Sequence, residues 1–394
     1  MKVLFANNFC GYYGGAEQVV AHTARGIRSR GHTCYLAYGV QDRDSDAFGA
    51  LFDQTFQCAE FCDPKDVATS ETFAQILETT KPDIVFFHKV SALPPEAEKP
   101  NGPRTVRMVH DSDLFCPTGL GYYRHGRRVC THAAGMACYF DLAFLARAPG
   151  ARIPIKMASI PAKLSEMRRN HSIDLILANS NFVRERLILN GFPEERVHVC
   201  HPVLQSSDCV VTPVPEAPRI LFVGALLRGK GVDLLLHALR KVSCSFSATI
   251  VGTGKSEAKL KSLSSSLGLD QDISFHGWAS HETLQHYYDE AKVVAIPSRG
   301  PETFSLVGTE AMRHGRPVVA FDVGGISDWL DHERTGLLVP EQDVIAFAHS
   351  LERMLTDTSY ASRLGEEAAR RVRDRFSYDR YIDKIEAHLS GATT

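Results

Sequence analysis

PSRGPETFSLVGTEAMRHGRPVVAFDVGGISDWLDHERTGLLV, residues 297–339, is the stretch whose reading decides the fold. An apolar strand runs into Pro297 and Ser298, and a loop then presents Glu302. A helix opens near Ser305 and Leu306, carries Glu310 in its second turn and stops at Gly315, after which RPVVAFD starts another strand. Strand, loop, helix and strand in this order make the repeating unit of a parallel sheet. The main-chain N–H groups of Phe304, Ser305 and Leu306, following Thr303 in the loop, gather at the helix start, where an anionic group is favoured. Carboxylates on either side of such a spot are poor phosphate ligands but good acceptors for sugar hydroxyls. The reading is therefore one acid for a hexose, one for a ribose, and a diphosphate on the amides between them. An isolated pair of acids is better read as a loop cap and a solvated helix face. The surrounding glycines and the strand–loop–helix context reverse that preference here.

Working outward, short β-rich runs alternate with helical patterns over the whole chain. Residues 2–6 read as a first strand, 11–15 as a glycine loop, 17–30 as a helix and 34–38 as a second strand. DIVFF (83–87) and the runs at 105–109 and 175–178 have the same apolar, β-branched character. VVTPVPEAP (210–218) has three prolines in nine residues and reads as a linker. Beyond it the pattern restarts with RILFVG, a glycine loop, a helix at 232–242 and SATIVGTG. The expected architecture is α/β, with two Rossmann-like domains facing each other across a cleft. Residues 1–209 form the first domain, 219–375 the second, and 376–394 a helix crossing back to the first. Ligands of open parallel sheets bind at the carboxyl ends of the strands.

The 394 residues fit two domains, and 44% hydrophobic with 23% charged residues is the balance of a globular enzyme. A formal net charge of -2 provides no basic field for nucleic acid. No apolar run reaches the length of a membrane span, and MKVLFANNF reads as a strand rather than a leader. The expected location is the cytoplasm, including the inner face of its membrane. Most of the ten cysteines, Cys34, Cys200 and Cys244 among them, stand singly and read as buried thiols.

Glu302 and Glu310, with seven residues between them and AMRHGRPVVAFDVGG following, resemble the signature of retaining family 4 glycosyltransferases, which have the GT-B fold. The resemblance extends to GGAE (14–17), ANSNFVRERLILNGFPEERVHVCHPV (178–203), FVGALLRGKGVDLLLHAL (222–239) and VGTG (251–254). It implies a nucleotide diphosphate sugar donor held by the second domain and an acceptor chosen by the first. It also implies retention of anomeric configuration, with neither metal nor cofactor. Lys230 takes the place of the family's diphosphate-binding lysine, and Glu302, Thr303, Phe304, Ser305, Leu306 and Glu310 take the place of its donor-binding loop. Gly14, Gly15 and Gly254 stand where backbone approaches the ligand. The family often has arginine directly after the strand-ending glycine; this chain has Ala225, and Arg228 is the candidate replacement. His110, after the strand TVRMV, matches the histidine that contacts the donor sugar near the reacting carbon. Trp278, after DISFHG, stands either beside the nucleotide base or in the core. The catalytic set is then His110, Lys230 and Glu302.

Two segments are left over. Cys116, Cys130 and Cys138, with His125 and His132 between them, lack a CxxC pair. Free thiols in a structured loop rank ahead of a metal site and a disulfide, and the loop is expected to shape acceptor choice. Between residues 139 and 169, apolar positions are interleaved with Arg147, Arg152, Lys156, Lys163, Arg168 and Arg169. This is either a surface touching anionic lipid or a solvated basic face, the latter favoured because no Trp or Phe anchor set accompanies the charges. The alternatives to transfer onto a glycan, lipid-linked or small-molecule acceptor are a nucleotide-sugar epimerase or phosphorylase of the same architecture and a non-catalytic sugar-nucleotide-binding partner.

Overall fold

The computed structural model describes all residues except 13, 43, 62–70, 91–92, 99–101, 124–127, 148–154, 158, 206–210 and 393–394. The chain divides into two compact units. The first comprises Met1–Gly119, His132–Gln205 and Tyr378–Thr394, and the second Leu120–Thr131 and Ser206–Ser377. The sequence reading kept residues 1–209 together, whereas residues 120–131 group with the second unit. Arg152, His125 and the start of the expected linker lie outside the described residues, and nothing is described of the Arg147 and Lys156 side chains.

In the first unit the strands are β1 (Lys2–Cys10), β2 (Thr33–Gln41), β3 (Gln54–Gln57), β4 (Ile84–Phe87), β5 (Arg104–Val109), β6 (Leu145–Arg147), β7 (Ile155–Met157), β8 (Leu175–Ala178) and β9 (Val197–Val199). Seven of them form a parallel sheet in the order β3-β2-β1-β4-β5-β8-β9, while β6 and β7 form a separate antiparallel hairpin. The second unit holds β10 (Arg219–Val223), β11 (Ser247–Val251), β12 (Ile273–Gly277), β13 (Val293–Ile296), β14 (Val318–Phe321) and β15 (Gly336–Val339), all parallel, in the order β12-β11-β10-β13-β14-β15. Helices cover both faces of such sheets, so central strands read as unbroken apolar runs: IVFF, LILA, VVAI and VVAF are buried at every position. β1 continues to Cys10, beyond the expected residue 6, because it pairs with β2 from Lys2↔Thr33 through Cys10↔Gln41. Ladder pairing prolongs a strand past its apolar run.

The last helix, Tyr378–Ser390, belongs to the first unit and lies against its first helix, Gly15–Ser29. The Tyr381 and Thr23 hydroxyls meet at 2.7 Å, Tyr378 donates to the His22 carbonyl at 2.5 Å, and Arg30 pairs with Asp383 and Glu386. The exposed ion pairs contribute little. The buried hydroxyl pair contributes more, because removing one partner leaves the other without it in the interior. Tyr381→Phe is expected to lower stability by about 1–2 kcal/mol in urea denaturation.

Candidate functional site

In the second unit, two loops at the carboxyl edge of the sheet are locked together. β10 leads through a loop and a short 3₁₀ turn, Arg228–Lys230, into the helix Val232–Leu239. β13 leads through residues 297–305 into the helix Leu306–Arg313. The amides of Arg299 and Gly300 both donate to the Gly229 carbonyl, at 2.8 and 3.2 Å. Gly231 is left-handed (φ 68°) and so close to the second loop that a methyl group would sit 1.8 Å from the Pro297 oxygen. The Arg299 side chain, 2% exposed, reaches back to Asp233 at 2.7 Å.

This lock sets Lys230 against Glu302. The ammonium lies 2.8 Å from one carboxylate oxygen and 3.0 Å from the other, and the Ser298 hydroxyl donates to the first. Glu302 is 8% exposed, so its charge needs these partners. Its carbonyl accepts from the Gly325 amide at 2.6 Å, which fixes the backbone. Behind the loop, the wholly buried Trp329 indole donates to the Phe304 carbonyl at 2.5 Å. Ser305 precedes the helix in a left-handed conformation (φ 73°), and no side chain caps the helix start. The structure thus brings Lys230, Glu302, Thr303, Phe304, Ser305 and Leu306 into one neighbourhood. Arg228 is exposed on the turn beside Lys230. Glu310, eight residues beyond Glu302 and in the second turn of the helix, accepts from the buried Tyr288 hydroxyl at 3.0 Å. Burial and that carboxylate push the Tyr288 phenol well above its ordinary range.

A methyl group at Gly254 would sit 2.5 Å from the Leu226 oxygen, so glycine there allows its loop to pass the loop after β10. Trp278 is 65% exposed, which removes the core-packing alternative. Tyr288, Ser298, the Arg299–Asp233 pair and Trp329 were not singled out from sequence. Only Ser298, beside the strand end, carried a local signal.

In the first unit, a cavity of about 200 Å³ at the ends of β4 and β5 is lined by His88, Lys89, Arg107, His110, Asp111 and Asp113 among others. His88 Nδ1 and His110 Nε2 meet at 2.9 Å, and the His88 ring stacks on Phe5. Loss of water lowers both imidazoles: His110 falls to about 4, with Lys89 and Arg107 lowering it further against Asp111, and His88 falls well below its ordinary value. Burial opposes ionisation of Asp111, but the Lys89 ammonium 2.8 Å away holds its carboxyl below the usual range. Gly14 is extended (φ −165°), and a methyl group there would come no nearer than 3.7 Å to the Glu17 carboxylate, so the position does not require glycine. Gly15 opens the first helix. Cys116, Cys130 and Cys138 are thiols, and among the described residues no group of three or more His, Cys, Asp or Glu is arranged to hold a metal ion.

The models for Glycosyltransferase Family 4 and Glycosyl transferases group 1 match residues 13–204 and 217–357. The chain is 31% identical over 228 residues to a D-inositol 3-phosphate glycosyltransferase of Xylanimonas cellulosilytica, covering 52% of this chain and 54% of that protein. It is 31% identical over 159 residues to an alpha-D-kanosaminyltransferase of Streptomyces kanamyceticus, covering 39% and 40%. The chain thus matches about half or less of the length of these curated relatives. Among solved structures, Anabaena Alr3699/HepE in complex with UDP superposes with a TM-score of 0.74 at 18% identity, over 99% of this chain and 100% of that one. Sucrose-phosphate synthase from Thermosynechococcus elongatus gives 0.71 at 18% identity, over the full length of both. The fold these likenesses show is GT-B.

The histidine pair generates a pH prediction. Both folded values lie below the unfolded value of roughly 6.5, so the stability these groups add is present above that pH and lost as pH falls toward 4. His88→Phe is expected to flatten the loss of stability between pH 7.5 and 5.5 by roughly 1 kcal/mol, measured by urea denaturation at each pH. Parallel curves for the variant and the wild type would refute the assignment of neutral rings.

Proposed function

The chain belongs to the family 4, group 1 glycosyltransferases, and from that premise we propose that it moves a sugar from a nucleoside diphosphate donor to a hydroxyl acceptor with retention of configuration. The Lys230–Glu302 pair beside the uncapped start of the helix Leu306–Arg313 is the observation that carries this reading. In the free chain the lysine charge is spent on the carboxylate. An entering diphosphate competes for the ammonium, and the amides of Phe304, Ser305 and Leu306 supply further donors to its oxygens. As the bond to the anomeric carbon breaks, negative charge grows on the leaving phosphate, where a fixed cation and a helix start stabilise it most. Glu302, released from Lys230, accepts from hydroxyls of the sugar, and Glu310 accepts from the ribose. His110, neutral, meets the sugar near the reacting carbon, and a leaving phosphate oxygen assists removal of the acceptor proton. These groups perform the transfer without a metal. UDP in the Anabaena neighbour supports a uridine donor.

The acceptor is a glycan, a lipid-linked sugar or a small molecule. Phe140 (84% exposed), Met136, Tyr139, Leu142 and Met157 present apolar side chains around the β6–β7 hairpin, which favours the lipid-linked class. Among the described residues no helix is long and apolar enough to cross a membrane, so contact would be peripheral. Flotation with vesicles containing anionic lipid is expected to carry the wild type, and Phe140→Ser with Met157→Ser to reduce the floated fraction.

Lys230→Ala and Glu302→Gln are expected to lower kcat/KM by about a hundredfold or more with an unchanged circular dichroism spectrum. Nuclear magnetic resonance of the product reads the retained anomeric configuration and distinguishes a new glycosidic bond from an epimerised donor. Near-normal turnover by either variant would remove the roles given to these two residues.

A further inference from the structure

Residues 120–123 and 128–131, two short paired stretches called the hairpin below, belong to the first half of the sequence yet group with the second unit. Tyr122 and Val129 pair as an isolated antiparallel bridge, Tyr123 donates from its amide to the Arg128 carbonyl at 2.9 Å, and Cys130 donates to the Gly121 carbonyl at 2.9 Å. Two contacts fix where this hairpin lies on the unit. The Val129 amide donates to the Glu341 carboxylate at 3.0 Å, just beyond the end of β15. The Tyr122 ring lies so close over Gly300 that a methyl group there would sit 2.9 and 3.0 Å from two ring atoms. Tyr122 and Val129 therefore lie beside the loops that follow β13 and β15, at the carboxyl edge where parallel sheets bind ligands. Gly300 is buried, with its amide directed to Gly229 on one side and the Tyr122 ring packed against it on another.

We propose that this hairpin is part of the donor-holding machinery and that Tyr122 is a positioning residue for Glu302, acting through the 298–302 loop. The inference rests on the proposed donor site and assigns it an element that sequence reasoning had given to the acceptor. The Gly229 carbonyl, the Arg299–Asp233 pair and the Gly325 amide already hold this loop. Tyr122 adds a further hold at Gly300, and it keeps Glu302 and the helix start in the geometry that a diphosphate sugar needs. The hold depends on glycine at 300, since any side chain there displaces the ring.

Hydrogen exchange read by mass spectrometry, with and without UDP, tests this on the full chain. In the wild type UDP is expected to slow exchange at residues 228–231, 297–306 and 120–131 together. Tyr122→Ala is expected to speed exchange of 297–306 in the free protein and to weaken UDP binding by about tenfold, with the unfolding midpoint little changed. Gly300→Ala is expected to do the same, and the double variant to be no weaker than either single one, because both remove the same contact. Slowing at the two loops without slowing at 120–131, or an additive double variant, would overturn the hairpin's role and leave the donor site standing. An absence of UDP-induced slowing at all three segments would overturn the donor site itself and this inference with it.

Discussion

A carboxylate taken out of water costs several kcal/mol unless a charge and hydrogen bonds replace its hydration. Glu302 is in that position, and Lys230 is the charge that replaces it. The two residues are far apart in sequence, so the pair exists only while two separate loops are held in register. The sheet order makes this feasible. β10 is followed on one side by β11 and on the other by β13, so the connections diverge there and leave room between the loops after β10 and β13. The Gly229 carbonyl, the close pass at Gly231 and the Arg299–Asp233 pair then close that room around one ion pair.

The first unit repeats the arrangement with different chemistry. β1 lies between β2 and β4, and the residues just beyond β4, His88 and Lys89, reach the side chains at the end of β5. There the balance favours neutral imidazoles and one tight Lys89–Asp111 pair, so the cavity wall mixes polar groups with little uncompensated charge on this pair. One unit thus builds its loops around a lysine–glutamate pair beside a helix start, and the other builds its cavity around two neutral imidazoles beside a lysine–aspartate pair.

What could be read from sequence followed from how each feature is encoded. Strands buried on both faces announce themselves as apolar runs, and the strand–loop–helix passage around Glu302 is local, so both were legible. Lys230 was legible through its place in a motif that resembles a family. The Glu310–Tyr288 and Arg299–Asp233 contacts were not, because they join residues on different helices and loops without any periodic pattern. The hairpin at 120–131 was misassigned for a related reason: unit membership is decided by what Tyr122 and Val129 touch, and chain order carries no trace of that. His88 likewise meets His110 only because β4 and β5 are neighbours in the sheet.

Ser305 shows how local stability and the site pull against each other. Serine is among the best residues for capping a helix start, since its hydroxyl accepts from an amide of the first turn. At φ 73° it makes no such cap. A non-glycine residue in this left-handed region costs roughly 1–2 kcal/mol, and the forgone cap costs about 1 kcal/mol more. Trp329, which holds the Phe304 carbonyl, and the Gly325 amide on Glu302 are the contacts that keep the chain there. A helix whose best local cap is turned away leaves its first amides to be satisfied by water or by a ligand. Strain maintained by buried contacts at one loop, beside the one lysine–glutamate pair those contacts also hold, is easier to reconcile with an anion-binding start than with a turn selected for stability.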